Sequence, residues 1–373
     1  MLEIVRSGIL LLLLACAGAA RQAPDAEQLF REAVAAQKSG DDALAIRDYR
    51  EVIKLRPDVL EVRANLGASL AHLGRFDEAI AEYRAALDKS PSNTALRLNL
   101  ALAYYKKEDW KAAGDEFSAL YKAAPDNIRI ATLLGNCYSR LKRVTEALNL
   151  LAPLAKSQPE NLDLAWAYGN ALIGAGRWKE GLIQAEKVAQ QGNSAEAYLL
   201  AADTALRLNE FERARTNADA ALRLNPQLAG IQTLRGRTLE YLGDDEGALA
   251  ALREALQANP KDFDAHLTLG AILTTQRDLP AARQHLEQAL RLNPTSLLAR
   301  YELARAERAQ NELQKAADDF EQVARTDPKW LQPHVELAAL YFKLKRPKDG
   351  QKEREIVDKL TAEQAASAPP PAH

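Results

Sequence analysis

Small and large apolar residues recur along this chain with a regular period. In consecutive units of 34 residues counted from Ala26, one of them a residue shorter, the eighth and twentieth positions are always Gly or Ala. A large apolar residue usually stands at the seventh position, as at Leu66, and at the twenty-fourth, as at Tyr83. With Gly or a polar pair between the two halves of a unit, this pattern predicts two helices of about a dozen residues each.

Prolines mark the ends of these units. Two series of prolines have a spacing of 34 residues: Pro57, Pro91, Pro125 and Pro159, and then Pro226, Pro260, Pro294 and Pro328. Because Pro ends a helix, the spacing predicts ten helical hairpins. Their expected starts are residues 26, 60, 94, 128, 162, 195, 229, 263, 297 and 331.

Two antiparallel helices approach closely where small side chains meet, which explains the small residues at positions eight and twenty. The bulky residues at positions seven and twenty-four then fill the space on either side. A single hairpin of this kind cannot bury its apolar faces, so we expect successive hairpins to stack into a continuous core.

The composition supports a helical chain. Hydrophobic residues make up 47% of the 373 residues but aromatic residues only 6%, so the apolar content is mostly Ala and Leu. The 49 basic and 51 acidic residues nearly cancel, which leaves no global field to hold a polyanion, and we expect no binding to nucleic acid. Five His and two Cys offer little for a zinc site or a disulfide framework.

The pattern resembles the tetratricopeptide repeat (TPR) family, whose signature is a 34-residue helix hairpin. The resemblance covers ten units, and it implies an all-α, right-handed superhelical solenoid over residues 26–361 that binds other proteins. A linker over residues 21–25 precedes it. An Ala/Pro-rich tail over residues 362–373 is expected to be disordered.

The first twenty residues are predicted to be a signal peptide. Arg6 precedes an apolar run from Ile9 to Ala15, which is too short to cross a bilayer of about 30 Å, and small residues follow it. We expect cleavage after Ala19 or Ala20. The expected location is the periplasm or the outer-membrane periphery of a bacterium.

The segment that ends at Cys16, Leu-Leu-Ala-Cys, also resembles the bacterial lipobox. That resemblance implies lipidation of Cys16 and a membrane anchor without a spanning helix. In the alternative, Cys16 is only a small residue near the cleavage site, so a lipoprotein and a soluble protein both remain open.

Catalytic chemistry needs titratable groups that converge, and the sequence predicts none. We expect the histidines to be dispersed: His72, His266, His285, His334 and His373. His266 and His334 share a repeat position but lie two units apart, too far for a shared metal. Phosphate-loop, nucleophile-elbow and Cys-x-x-Cys motifs are absent from the sequence. We therefore expect a non-enzymatic protein without a cofactor.

The TPR resemblance implies that positions two, five, nine and twelve or thirteen of the first helices line a concave groove. The first candidate site is the middle of this groove: Leu98, Leu102, Tyr105, Arg129, Asn136, Arg140, Trp166 and Asn170. Asn136 and Asn170 share a position in adjacent units, so we expect them about 10 Å apart, in a ladder that grips a peptide backbone. The alternative is a solvated groove with packing aromatics.

The second candidate is the groove of the last two repeats, where aromatic and basic residues alternate and would suit an acidic peptide or a free C-terminus. Its residues are Tyr301, Arg305, Arg308, Phe342 and Lys343. Groove charges elsewhere alternate in sign, so the sequence predicts no single electrostatic preference.

Together these features predict a non-catalytic interaction scaffold of the cell envelope that binds extended peptides or helices of other proteins. One alternative is an outer-membrane lipoprotein that assists a secretion, pilus or envelope-assembly machine. An alternative of another class is a self-associating structural protein with an empty groove. The sequence leaves the oligomeric state open.

Overall fold

The structure, a computed structural model, describes residues 25–367, in which all regular secondary structure is helical. The twenty helices of this range are α1 (Ala26–Ser39), α2 (Asp42–Leu55), α3 (Leu60–His72), α4 (Phe76–Lys89), α5 (Thr94–Lys106), α6 (Trp110–Ala123), α7 (Ile128–Arg140), α8 (Val144–Ser157), α9 (Leu162–Gly174), α10 (Trp178–Gly192), α11 (Ala195–Arg207), α12 (Phe211–Leu224), α13 (Ile231–Tyr241), α14 (Asp245–Ala258), α15 (Phe263–Thr275), α16 (Leu279–Leu292), α17 (Leu297–Ala309), α18 (Leu313–Thr326), α19 (Leu331–Lys343) and α20 (Pro347–Ser367).

The predicted signal peptide with Cys16, most of the predicted linker and residues 368–373 lie outside the described residues. None of the helices between Asp25 and Ser367 has both the length and the hydrophobicity of a membrane-spanning segment.

The chain forms two compact units, and the division between Glu146 and Ala147 falls within α8. In the first unit, successive helices pack against one another from α1 through to α7. In the second unit, α9 to α20 do the same. The predicted fold class, an all-α solenoid of helical hairpins, is confirmed.

The helix starts follow the 34-residue spacing closely. The first helix of nine hairpins begins at the residue where that spacing placed a repeat start. The exception is α13, which begins at Ile231 and not at Ala229, because Gly230 has a φ of 80° that a right-handed helix cannot include. At the other end, the tail expected to be disordered from Ala362 is helical as far as Ser367, since residues 362–366 are all good helix formers.

Every hairpin turns at the same repeat position. The fifteenth residue of each repeat has a positive φ: Gly40, Gly74, Glu108, Lys142, Gly176, Asn209, Gly243, Arg277, Asn311 and Lys345. The amide of the following residue then donates to a carbonyl five residues earlier, as Asp41 does to Ala36 at 2.9 Å. This geometry satisfies the end of the first helix and directs the chain into the second.

The two helices of a hairpin meet at positions eight and twenty-four. A Cβ added to Gly270 would lie 2.5 Å from Cγ of Leu286, and Gly67 faces Tyr83 in the same way. The alanines at position twenty, such as Ala79 and Ala282, are completely buried. Small residues therefore set the close approach of the helices, and the large residue opposite fills the gap.

A polar bridge recurs inside the hairpins. It joins the fourth residue of the first helix to the twenty-third residue of the repeat: Arg63–Glu82 at 2.6 Å, Arg97–Glu116 at 2.6 Å, His266–His285 at 2.9 Å, Arg300–Asp319 at 2.9 Å and His334–Glu353 at 2.6 Å. Several of the fourth residues also bond to the carbonyl of the proline that ends the preceding repeat, as Arg97 does to Pro91 at 2.9 Å. The expectation that the histidines do not converge is therefore wrong for His266 and His285, which belong to the same repeat and to opposite helices.

Candidate peptide-binding surfaces

The groove face is the surface formed by positions two, five, nine, twelve and thirteen of the first helices. In the second unit the first helices of successive hairpins contact one another, from α11 through α13 and α15 to α17. Their groove-face residues therefore form one neighbouring set.

The first predicted site falls partly in the first unit, where the structure brings several of its residues together. The Asn136 amide donates to the Tyr105 hydroxyl at 3.4 Å. The Tyr105 ring meets Trp110 edge-on, with 5.1 Å between ring centres, and the Arg140 guanidinium lies 5.3 Å from the centre of the Trp110 ring. Burial raises the pKa of Tyr105, against the smaller opposing effect of the Asn136 hydrogen bond. Sequence reasoning missed Trp110, which is the residue that joins Tyr105 to Arg140.

The other residues of this site in the first unit differ in exposure. Arg129 is exposed, whereas Leu98 and Leu102 are half-buried. Arg129 therefore adds a charged group to the groove face of the first unit, and Leu98 and Leu102 add partly exposed apolar area.

Trp166 and Asn170 belong to the second unit. Trp166 is half-buried beside Val188 and Ala189. The Asn170 amide donates to the Trp166 carbonyl of its own helix at 2.8 Å. The Asn136 amide also donates to a group of this chain, so each side chain of the predicted Asn ladder already makes one hydrogen bond within the protein. The ladder itself stays a prediction.

The second predicted site is partly neutralised within the second unit. Arg305 pairs with Glu302 at 2.7 Å, and Arg308 pairs with Glu336. Tyr301 packs against Trp330, with 5.0 Å between ring centres. These contacts compensate both arginines, which weakens the expected attraction for an acidic peptide.

Two further residues of that site lie on α19. Phe342 covers Gly350 and carries the Arg354 guanidinium 4.4 Å above its ring centre, while Lys343 is exposed. Lys343 therefore remains available as a cation at this end of the groove face.

Two adjoining hollows on the second unit were not found by sequence reasoning. The first, with a volume of about 360 Å³, has an apolar floor of Leu199, Leu200 and Leu234. The second, of about 210 Å³, lies between α13, α15 and α17 and includes Tyr241 and Leu298. Arg237 and Asp264 line both hollows, so the two form one trough.

Carboxylates dominate the polar rim of this trough. Burial, the neighbouring Glu302 carboxylate and, to a smaller extent, Asp245 raise the pKa of Glu240 to about 7, against the opposing effect of Arg237. Glu302 is only 8% exposed, and burial raises its pKa against the pull of Arg305. The sequence did hold a signal for this buried carboxylate. Position six of the repeat is Glu at Glu302, whereas it is apolar at Leu200 and Leu234.

The described residues contain little else that suggests reactivity. Within residues 25–367, no three His, Cys, Asp or Glu side chains are placed to hold a metal ion together. Cys137 is completely buried, and burial raises the pKa of its thiol to about 12, so it behaves as a small apolar residue.

Comparison with known proteins agrees with this architecture. One tetratricopeptide repeat model matches residues 30–94, 199–263, 233–296 and 267–329, which together span more than half of the chain, and a second matches residues 70–137 and 105–167. Among curated proteins, none matches the chain significantly.

Solved structures resemble the fold at low identity. The Cut9–Hcn1 hetero-tetramer of the APC/C includes a chain that is 14% identical, with a TM-score of 0.56 over 91% of this chain and 88% of that one. Yeast Tom70 is 13% identical, with a TM-score of 0.41 over 90% and 92% of the two chains. A thermophilic TPR protein of Thermus thermophilus is 23% identical, with a TM-score of 0.41 over 49% of this chain and 100% of that one. The repeat pattern, the stacked hairpins and the matches to the family models agree, and this chain belongs to the tetratricopeptide repeat family.

Proposed function

We propose that this protein is a non-catalytic scaffold that binds segments of other proteins on the groove face of its first helices. The observation that supports this most directly is the trough on α11, α13, α15 and α17. It combines an apolar floor with polar groups at its rim, which is the usual character of a recognition site.

Site-specific cross-linking in intact cells tests the proposal. Tyr241 lines the trough and is 58% exposed, so a photoreactive phenylalanine derivative can replace it with little change of shape. The matched control carries the same group at Gln284, an exposed residue of the second helix α16. We expect a defined adduct from position 241 and none of the same mass from position 284. Identical products from both positions, or none from either, would contradict groove binding.

Self-association is the competing class of function, with an empty groove. Light scattering on the purified protein separates the two, because a mass that stays monomeric over a hundredfold range of concentration rules out self-assembly. A mass that rises with concentration, together with no adduct from position 241, would favour the structural role.

The proposed location is the bacterial cell envelope, as an exported protein or as a lipoprotein that assists an envelope machine. The support is the apolar run and small residues of segment 1–20 and the lipobox-like Cys16. Fractionation of cells that express the chain tests both ideas. A Cys16→Ser variant is expected to leave the membrane fraction if Cys16 is lipidated, and an unchanged distribution would argue against the anchor.

A further inference from the structure

We infer that the trough on the second unit binds a positively charged peptide segment in which an apolar side chain stands next to Lys or Arg. This inference rests on the proposed function and names the chemistry of the partner. It differs from the prediction made for the last two repeats, where an acidic peptide was expected.

The apolar part of the inference comes from the first hollow. Leu199 and Leu234 occupy neighbouring first helices, and together with Leu200 they make most of the hollow's surface apolar. All three are half-buried or buried in the chain itself, so they form a fixed floor and not a set of mobile side chains. A hollow of about 360 Å³ has room for one large apolar side chain, whose burial there removes apolar surface of both partners from water.

The charged part comes from the rim that surrounds both hollows. Six carboxylates and one guanidinium line the two hollows; the acidic residues are Glu196, Asp203, Glu240, Asp262, Asp264 and Glu302, and the basic residue is Arg237.

Some of these carboxylates are already compensated within the chain. Asp203 pairs with Arg207 at 2.7 Å, and Glu302 pairs with Arg305 at 2.7 Å. Asp262 accepts a hydrogen bond from the Thr233 hydroxyl at 2.6 Å. By contrast, neither Glu240 nor Asp264 has an ion pair with any residue from 25 to 367. Arg237, which lines both hollows, offsets one carboxylate, so the rim of the trough as a whole keeps an excess of negative charge.

The surroundings of Glu240 favour a positively charged group of a partner. Its carboxylate is partly buried and close to Glu302, and both effects raise its pKa to about 7. A Lys or Arg side chain placed beside it would stabilise the ionised form in a site where water screens the charge poorly. The same field repels acidic peptides, nucleic acid and anionic lipid.

Three peptide pools test the inference on the full chain. Each peptide has twelve residues, a fluorescent label and randomised flanks around a fixed centre. The centre is Leu-Lys-Leu-Arg in the first pool, Leu-Glu-Leu-Glu in the second and Ser-Lys-Ser-Arg in the third. Binding is measured by fluorescence anisotropy at low salt, where electrostatic contributions are largest.

Two double variants, each of which replaces two carboxylates by amides, accompany the native chain. Glu240→Gln/Asp264→Asn removes the two uncompensated charges and keeps the shape of the trough. Glu246→Gln/Glu287→Gln removes two exposed carboxylates on the second helices α14 and α16. Circular dichroism and melting temperature establish that both variants are folded.

We expect the first pool to bind at least tenfold more tightly than either of the others. The trough variant should lose this binding by tenfold or more, while the control variant stays within twofold of the native chain. Affinity of the native chain should also be higher at pH 8 than at pH 6, because protonation of Glu240 removes its charge at the lower pH. Loss of this pH dependence in the trough variant would assign it to the trough.

Equal binding of the three pools, no binding of any pool, or equal effects of the two double variants would overturn the inference. Preferential binding of the acidic pool, with an adduct still formed from position 241, would overturn the charge assignment and leave groove binding intact. The proposed function fails separately, when position 241 gives no specific adduct in cells.

Discussion

His266 and His285 face each other across the hairpin of α15 and α16, with their Nδ1 atoms 2.9 Å apart. The Nε2 atom of His266 lies 3.2 Å from the Pro260 carbonyl oxygen, which can only accept a hydrogen bond. In the neutral ring, Nδ1 of His266 is therefore the acceptor, and Nδ1 of His285 donates to it. The pair can hold a single extra proton on His285, whereas a second on His266 would break the bond between the rings.

This pair predicts a loss of stability at acid pH. Burial lowers the pKa of His285, with smaller contributions from His266 and Arg253, so the unfolded chain binds more protons than the folded chain as the pH falls below about 6.5. The free energy of unfolding then decreases between pH 7.5 and pH 5.5. A His285→Gln variant keeps a donor to His266 but does not titrate, and its urea midpoint should fall less over the same range.

The comparison between the native chain and the variant is needed because other groups act in the opposite direction. Glu240 and Glu307 have a pKa raised to about 7, so they favour the folded state as the pH falls. They are common to both proteins and cancel in the difference. Parallel pH profiles for the native chain and His285→Gln would show that the pair does not couple to folding.

The shared turn at position fifteen predicts that some hairpins gain stability from glycine. Arg277 has a φ of 67°, a conformation that costs a non-glycine residue about 1–2 kcal/mol. An Arg277→Gly variant removes that cost and adds about 0.5–1 kcal/mol of unfolded-state entropy, so we expect a net gain of roughly 0.5–1 kcal/mol in the free energy of unfolding. Urea denaturation monitored by circular dichroism measures it.

The reverse change at an equivalent turn is the matched control. Gly74 has a φ of 73°, and a Cβ built there has no neighbour within 4 Å. A Gly74→Ala variant should therefore lose about 1 kcal/mol through backbone conformation alone. Changes of the same sign in both variants would contradict the account of the turn.

The sequence predicted the hairpins well because their determinants are short-range. The small residues at positions eight and twenty and the prolines between repeats each act within one hairpin, so they appear as a regular pattern. The left-handed turn is visible in the sequence where Gly occupies it, as at Gly40, and Asn209 and Asn311 also suit that conformation, whereas the packing of the two helices imposes the same φ on Lys142 and Arg277. The residue type at those positions gives no sign of it.

The candidate sites were harder to predict because a binding surface depends on how deeply each of its side chains is buried. The sequence shows that Glu240 and Asp264 fall on groove-face positions, but not that Glu302 is buried beside Glu240. It also shows Arg305 and Arg308 as a basic pair, whereas each already has a carboxylate partner on its own or the next first helix. Such pairings follow from the angle between neighbouring hairpins.

The close contact at Gly270 predicts that alanine, usually favourable in a helix and native at position eight of other repeats, is unfavourable at this residue. A Cβ on Gly270 would lie 2.5 Å from Leu286 Cγ and 3.2 Å from the Ala282 carbonyl oxygen. Overpacking of this kind costs about 1–3 kcal/mol, which exceeds the gain of about 1 kcal/mol in helix propensity. Gly270→Ala should therefore lower the free energy of unfolding, as measured by urea denaturation.

Gly114 provides the control for this effect. A Cβ on Gly114 meets only Cβ of Cys137 at 3.5 Å, an ordinary contact, so Gly114→Ala should stabilise the chain by up to about 1 kcal/mol. In Gly270→Ala/Leu286→Ala, the cost should be smaller than the sum of the two single changes, because the shortened side chain removes the clash. A stabilising Gly270→Ala would refute the idea that the contact with Leu286 requires glycine at this residue.

The polar bridge within hairpins predicts that Arg63 contributes more to stability than an exposed ion pair does. Arg63 bonds to Glu82 at 2.6 Å and also to the Pro57 carbonyl oxygen, with both partners of the ion pair about one quarter exposed. An Arg63→Ala variant should lose about 1–3 kcal/mol in the free energy of unfolding, since Glu82 and the carbonyl lose a charged donor. The matched control is Arg31→Ala, which removes a largely exposed pair with Glu27 and should cost no more than about 0.5 kcal/mol.

Arg63→Lys separates the bridge from simple charge pairing. A single ammonium cannot reproduce the guanidinium fork that reaches Glu82 and Pro57 at once, so lysine should restore less than half of the loss. A double-mutant cycle of Arg63→Ala with Glu82→Ala, followed by urea denaturation at low and high salt, measures the coupling between the two side chains. Full rescue by lysine, or equal costs of Arg63→Ala and Arg31→Ala, would mean that the fourth residue acts only as a surface charge and that the helix packing alone holds these hairpins together.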